Sequence, residues 1–483
     1  MKPQSIKTCF LVPPVVIGNH PAERSSGCTR VVYATPNIYE LQVAACVEKE
    51  GYDVSYTDCI NHNISLEQLL EREKQSPKDV YLLWTVNLSV ENDIEVCKQL
   101  HNILPQAYIL LLGPGAAWFD KKCHIDEQTI VVHGEPELTV TELLQHIQSH
   151  TDWHQTAGIS YLLAGEHHRT GFRPLMPDLD SLPVPARHLV SDIVYRNPKL
   201  KLTPYTTMVT SRNCPFRCIY CVPSSLTFAR ETDYRQHFGR KPPIAFRSTA
   251  KVAEEISFLA RQGIKAIGFM DDNFIWNEQR TREICHALKT NGIIWGCQAR
   301  ADAITEPIAK TLGESGCRYI DIGVESFNDD ILQYVHKGIT SKQIYEAIAL
   351  LQKYKVPVKL NILIGTSPLE TEQTIKDTVK QAKRLKADQL MINIVSPFPG
   401  TEFYTLALKN GWIKNDEYVP TDVQRESILN YPHLSAKQME KLLFRSNISY
   451  FLSPGFIYKQ IRRFRSFADF THALKTLKIK LFG

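Results

Sequence analysis

The residues most able to do chemistry are three cysteines in Ser211-Arg-Asn-Cys-Pro-Phe-Arg-Cys-Ile-Tyr-Cys221, a C-x3-C-x2-C triplet of Cys214, Cys218 and Cys221. Three thiolates this close in one loop can serve a single inorganic centre. A four-iron cluster takes four ligands, so three cysteines would leave one iron open. A structural zinc site is the competing reading, but it wants a fourth Cys or His and usually paired C-x2-C knuckles, and no second pair lies nearby. The remaining nine cysteines, at 9, 28, 46, 59, 97, 123, 285, 297 and 317, are scattered and read as small buried apolar residues. The N-terminus shows no charged-then-apolar leader, so a reducing, cytoplasmic setting is expected and a disulfide framework is not. No residue pattern marks a catalytic acid, base or nucleophile.

The elements that must position the triplet follow from hydrophobic periodicity. Over residues 1–150, short apolar runs at Lys7–Pro14, Asp53–Asp58, Asp79–Thr85, Ala107–Gly113 and Thr129–Gly134 alternate with helical patterns at 37–50, 65–74, 90–101 and 138–148. Continuous apolar strands with intervening helices predict a doubly wound, Rossmann-like parallel sheet. Residues 151–200 read as a Pro-rich linker, with four prolines between Arg173 and Arg187. Residues 201–415 repeat the strand-helix rhythm six times, with strands near 205–212, 266–271, 293–300, 319–325, 358–365 and 389–397. That rhythm predicts an α/β fold closing as a partial (β/α)6 barrel, with its chemistry at the strands' carboxyl ends. The triplet follows the first of these strands directly.

In this place the motif resembles that of the radical S-adenosylmethionine superfamily, C-x3-C-x-aromatic-C, with Tyr220 as the aromatic residue. The resemblance implies a 4Fe-4S cluster on Cys214, Cys218 and Cys221 whose open iron chelates S-adenosylmethionine. Reductive cleavage would then yield a 5′-deoxyadenosyl radical that abstracts hydrogen from unactivated carbon. It further implies that Asp271, with Asp272 beside it, receives the methionine amino group, and that Arg300 pairs with the carboxylate. Glu325 and Ser326 fall where the family contacts the ribose. Leu363 falls in Asn361-Ile-Leu-Ile-Gly365, where the family's adenine-packing pattern keeps its second glycine and lacks its first. On the residues alone, Asp271 and Asp272 could instead be helix-capping acids, and Arg300 could pair with Asp302 or Glu325.

The sheet ahead of such a barrel resembles the subfamily with an N-terminal cobalamin-binding domain. The resemblance implies a crevice at the strands' carboxyl edge, with Thr85 and Asn87 after the third strand and Gly113, Gly115, Gly134 and Glu135 near the cofactor. The chain reads Leu112-Gly-Pro-Gly115 and Gly134-Glu-Pro-Glu137 where relatives carry Gly-Gly-Pro and Gly-Glu-Gly-Glu. The D-x-H-x-x-G cobalt motif is missing, and His62 reads as an exposed loop residue.

The implied function is a cobalamin-dependent radical C-methyltransferase acting on an unactivated carbon of a small or lipid-like metabolite, fed electrons by a donor such as a flavodoxin or ferredoxin. A radical cyclase or rearrangement enzyme would use the same cofactors. A non-catalytic cobalamin or redox sensor is the alternative of another class. The 483-residue chain, 43 % hydrophobic and 22 % charged, reads as soluble and globular. Its formal charge of +5 comes from the end: residues 450–483 hold seven Lys/Arg against one acid. Residues 416–483 read as a helical, basic region. Ile457, Ile461, Phe464, Phe467, Leu474 and Leu477 recur at near-helical spacing, for docking on the barrel or for peripheral contact with an anionic membrane. No nucleic-acid-binding module is recognisable.

Overall fold

A computed structural model describes residues 6–17, 34–413, 418 and 423–461. Cys28 and the tail positions Phe464, Phe467, Leu474 and Leu477 lie outside the described residues. The chain divides into two compact units: residues 1–215, 222–298 and 314–318, and residues 216–221, 299–313 and 319–483.

The first unit begins with β1 (Lys7–Val12), α1 (Ile38–Lys49), β2 (Asp53–Asp58), α2 (Leu66–Gln75), β3 (Val80–Trp84), α3 (Val90–Ile103) and β4 (Tyr108–Leu112). The short helices α4 (Pro114–Trp118) and α5 (Asp120–Cys123), then β5 (Thr129–Val132), α6 (Pro136–Ser149), β6 (Ile159–Leu163) and β7 (Glu166–Arg169), complete its first sheet. The strand order is β2-β1-β3-β4-β5-β6-β7. The first five strands are parallel and the last two antiparallel. Alternate residues feed two apolar layers, Phe10, Leu82 and Leu110 on one face and Leu11, Tyr81 and Leu111 on the other. Burial on both faces is why these strands read as unbroken apolar runs. Order reverses between β1 and β3, the place where open α/β sheets bind ligands.

The expected linker is partly sheet. β6 and β7 form a hairpin on the edge of β5, turned by Ala164 and Gly165, both at positive φ (50° and 78°). Two consecutive residues of that conformation match the twist of a tight hairpin. Helix α6 also starts earlier than its apolar pattern, at Pro136, since a proline in the first turn lacks only an N–H that would be unbonded anyway.

The second strand series has β8 (Tyr205–Met208), β9 (Ser211–Arg212), α7 (Ser225–Phe238), β10 (Ala245–Phe246), α8 (Thr249–Arg261), β11 (Ala266–Phe269), α9 (Glu278–Thr290) and β12 (Ile294–Ala299). It continues with α10 (Glu306–Glu314), β13 (Cys317–Glu325), α11 (Asp329–Tyr334), α12 (Ser341–Lys353), β14 (Val358–Ile364), α13 (Glu372–Arg384) and β15 (Gln389–Ile394). The order in the sheet is β8-β11-β12-β13-β14-β15. Pairing is parallel for β8, β11 and β12 within the first unit and for β13, β14 and β15 within the second. This is the partial (β/α)6 arrangement. The predicted strand over 205–212 is broken in two, because the Thr210 backbone N–H turns onto the Asp271 carboxylate and Ser211–Arg212 pair antiparallel with β10.

After β15 come α14 (Glu402–Lys409), α15 (Ala436–Phe451) and α16 (Pro454–Ile461). Helix α15 buries Met439, Leu442, Leu443, Ser446 and Tyr450, a one-faced spacing. Among the described residues no helix is long and apolar enough to cross a membrane.

Candidate active site

Cys214, Cys218 and Cys221 are partly exposed, whereas the other eight described cysteines are buried. The approach to Cys214 is held from behind. Asn213, at φ 76°, receives Thr227 Oγ1 as an acceptor for its N–H at 3.2 Å, and its side-chain amide donates to Glu231 at 3.2 Å and accepts from Arg230. Arg212, buried, donates to Glu135 at 2.8 Å and to Glu137 at 2.5 Å, while Arg230 lies 3.0 Å from Glu135. Burial pushes the Glu135 carboxyl up, but Arg212 and Arg230 more than offset this and hold it below its ordinary value. These residues explain how α7, polar in sequence, is buried along residues 225–233: its charged groups are paired.

Asp271 and Asp272 follow β11. Asp271 is 1 % exposed and accepts from Thr210 N–H (3.1 Å), Thr210 Oγ1 (2.8 Å) and Ser211 Oγ (2.5 Å). Burial raises its carboxyl to about 6, the hydrogen bonds from Ser211 and Thr210 pulling the other way. Asp272 accepts from Ser224 N–H and Thr227 Oγ1, each at 2.6 Å, and burial raises it too. Neither caps α9, whose N-cap is Asn277.

In the second unit Arg300 pairs through two nitrogens with Asp302, at 3.0 and 2.8 Å, and its guanidinium lies 3.5 Å from the Phe216 ring centroid. Glu325 closes β13 at φ +62° and accepts from buried Lys337 at 2.9 Å. Tyr220 is buried near Glu325, and burial together with that carboxylate raises its hydroxyl well above the ordinary value. Ser326 Oγ accepts from Asn328 N–H at 3.1 Å and lies 3.2 Å from Thr378 Oγ1. Glu325, Ser326 and Leu363 line one cavity of about 10 Å³, with Glu370 and Thr378, space for about one water. Glu370 itself accepts from the N–H groups of Gly365 (2.9 Å) and Thr366 (2.7 Å) and so shapes the turn after β14. Sequence reading missed Lys337, Phe216 and Glu370; only Glu370, five residues beyond Gly365, carried a local cue, a carboxylate facing turn N–H groups.

At the edge of the first sheet, Thr85 Oγ1 donates to Asp93 at 2.9 Å. Asn87 is buried, and both its amide atoms lack a hydrogen-bond partner. A Cβ on Gly115 would stand 2.4 Å from the Val86 carbonyl carbon, and one on Gly113 2.8 Å from the Thr85 oxygen. Those glycines are thus required by the chain's own β3–α3 loop. Gly134 lies beside Asp233, and the Glu135 carboxylate is engaged internally, its second oxygen accepting from Met176 N–H at 2.5 Å. His62 bonds Asp192 at 3.0 Å on the surface.

Residues 208–382 match the family model described as the radical SAM superfamily. The chain carries a radical S-adenosylmethionine domain. Over 444 residues it is 29 % identical to the "Uncharacterized methyltransferase PH0819" of Pyrococcus horikoshii, covering 90 % of this chain and 92 % of the relative. A structure of the cobalamin-dependent S-adenosylmethionine radical enzyme OxsB, with aqua-cobalamin and S-adenosylmethionine bound, aligns at TM-score 0.72 and 16 % identity over 99 % of this chain and 72 % of that one. The radical S-adenosylmethionine methyltransferase TsrM of Kitasatospora setae, with cobalamin and a [4Fe-4S] cluster bound, aligns at 0.63 and 17 % identity over 84 % and 75 %.

For the radical S-adenosylmethionine domain the donor set fits a cluster: its three motif cysteines are partly exposed, and the other described cysteines are buried. For a corrin, Asn87 fits, since a buried amide without partners calls for a polar ligand.

Proposed function

We propose that this protein is a cobalamin-dependent radical S-adenosylmethionine methyltransferase acting on an unactivated carbon of a small or lipid-like metabolite. The observation that carries the reading is the succession of a doubly wound sheet and a radical S-adenosylmethionine domain in one chain, with partly exposed cysteines, among the described residues, confined to the C-x3-C-x2-C motif. Cys214, Cys218 and Cys221 would hold a 4Fe-4S cluster, and Asn87, with the backbone at Gly134, would hold cobalamin. When bound, these groups supply one-electron cleavage of the sulfonium and a transferable methyl group.

The chain's own residues bind and orient. Asp271 and Asp272 are the acceptors offered to the methionine amino group. Arg300 uses two of its five N–H donors on Asp302 and stacks on Phe216, so its plane is set before a carboxylate arrives. Glu325, Ser326 and Leu363 offer the ribose and adenine edge. Thr85, Gly113, Gly115 and Glu135 support the cobalamin region through internal packing and pairing.

The electron donor would be a flavodoxin or ferredoxin, in a reducing cytoplasm. Peripheral membrane contact is supported by exposed Leu452, Ile457 and Tyr458 next to the basic chain end; it would give access to a lipid-like substrate.

The test is anaerobic reconstitution with iron, sulfide and methylcobalamin, then S-adenosylmethionine, reductant and a metabolite pool, read by mass spectrometry. 5′-Deoxyadenosine, S-adenosylhomocysteine and a methylated product are expected, and Cys218→Ala should abolish all three. 5′-Deoxyadenosine without methyl transfer would replace this reading by a radical cyclase or rearrangement enzyme.

A further inference from the structure

The segment 216–221 is fastened to the turn that follows α11. Ile219 N–H donates to the Val335 carbonyl at 3.2 Å, and the Ile219 carbonyl accepts from Phe403 N–H at 2.9 Å. Val335 is two residues before Lys337, which is flanked by His336 and Gly338, both at positive φ (53° and 67°). The same turn therefore holds the cysteine loop and aims Lys337.

Lys337 is only 7 % exposed, and its ammonium meets one carboxylate, Glu325, at 2.9 Å. That carboxylate sits on a backbone at φ +62°, a left-handed conformation that residues with a Cβ rarely adopt. A Cβ at Gly323 would stand 2.6 Å from Glu325 Oε1 and 3.0 Å from Lys337 Nζ, so the ion pair lies directly against the bare strand there. A strained residue, a bare strand position and a buried cation all serve one contact. General stability does not require it, because a buried ion pair is often matched or exceeded by apolar packing.

We propose that Lys337 is a positioning residue that tunes the reduction potential of the cluster, with Glu325 as its counterweight. The bond from Ile219 N–H to the Val335 carbonyl ties the turn that carries this cation to the loop of Cys218 and Cys221. Burial lowers the ammonium's proton affinity, but the field of Glu325 more than offsets this and holds it above the ordinary lysine value. Reduction adds negative charge to a thiolate-ligated cluster, so a buried cation favours the reduced form and a buried carboxylate opposes it. This inference rests on the assignment of the cluster to Cys214, Cys218 and Cys221.

The test is a redox titration of the reconstituted full-length chain without S-adenosylmethionine, followed by the electron paramagnetic resonance of the reduced cluster. Lys337→Met should make the midpoint more negative by about tenfold in the reduction equilibrium, ~59 mV for one electron. Glu325→Gln, which keeps an acceptor for Lys337 and removes the opposing charge, should move it positive. Shifts of opposite sign are not what a purely structural role would produce. Unmoved midpoints, or shifts of one sign, overturn the proposal; if Lys337→Met does not retain iron, the sign of Glu325→Gln decides. A wild-type chain that takes up no cluster would overturn the cluster assignment itself and this inference with it.

Discussion

Asp271 after β11 and Glu325 at the end of β13 are both buried carboxylates at strand ends, and the chain accommodates them by different means. Asp271 is ringed by neutral donors from Thr210 and Ser211, which satisfy its oxygens and still leave its carboxyl raised to about 6. Glu325 meets an ammonium directly. The contrast separates two tasks. A carboxylate among neutral donors keeps a proton within reach of neutral pH; one bonded to an ammonium fixes its partner's position. Glu135 and Glu137, paired with Arg212 and Arg230, are a second instance of the ionic solution.

The largest effect expected from breaking this contrast is at Arg212. Arg212→Met leaves Glu135 without one partner and Glu137 without the only one shown, and should lower unfolding free energy by about 3–5 kcal/mol, read from urea denaturation. A loss below 1 kcal/mol would mean that the two glutamates find other partners.

Asp271 sharpens the comparison through pH. Folded, it keeps its proton up to about pH 6; unfolded, only to 3.8. Between those values the native state binds more protons, so this group's contribution to stability falls as pH rises from about 4 to about 6 and is level above. Two pKa units correspond to about 3 kcal/mol. Asp271→Asn should remove that slope from the difference between wild-type and variant unfolding curves, and an unchanged slope would show the carboxyl to be unperturbed.

Packing without charge gives the next effect. Gly115→Ala drives a methyl into the Val86–Asn87 backbone and should cost about 1–3 kcal/mol in the cobalamin-free protein; a melting temperature that drops only in the cobalamin-loaded protein would transfer the glycine's role to the cofactor. The smallest is Ser326→Ala, which removes the acceptor of Asn328 N–H for about 0.5–1.5 kcal/mol, measured by thermal melting.

Much of the scaffold was legible beforehand because its signals are local. The run Tyr108–Leu112 is apolar at every step but the first, and β4 is accordingly buried on both faces. The β6–β7 hairpin was hidden among prolines and polar residues, although Ala164-Gly165 marked its turn. Val209-Thr210 gave no sign of a break within the predicted 205–212 strand, since the break follows from Asp271, 61 residues on.

Sequence by itself determined the kind of chemistry and the order of the elements, since a cysteine triplet and a strand-helix rhythm are properties of spacing along the chain. Only the tertiary structure decided which charges meet. Arg212 lies 77 and 75 residues from Glu135 and Glu137, and Lys337 lies 12 residues from Glu325 across a helix. A buried charge finds its partner through strand register and turn geometry, and those are settled only once the sheets have packed.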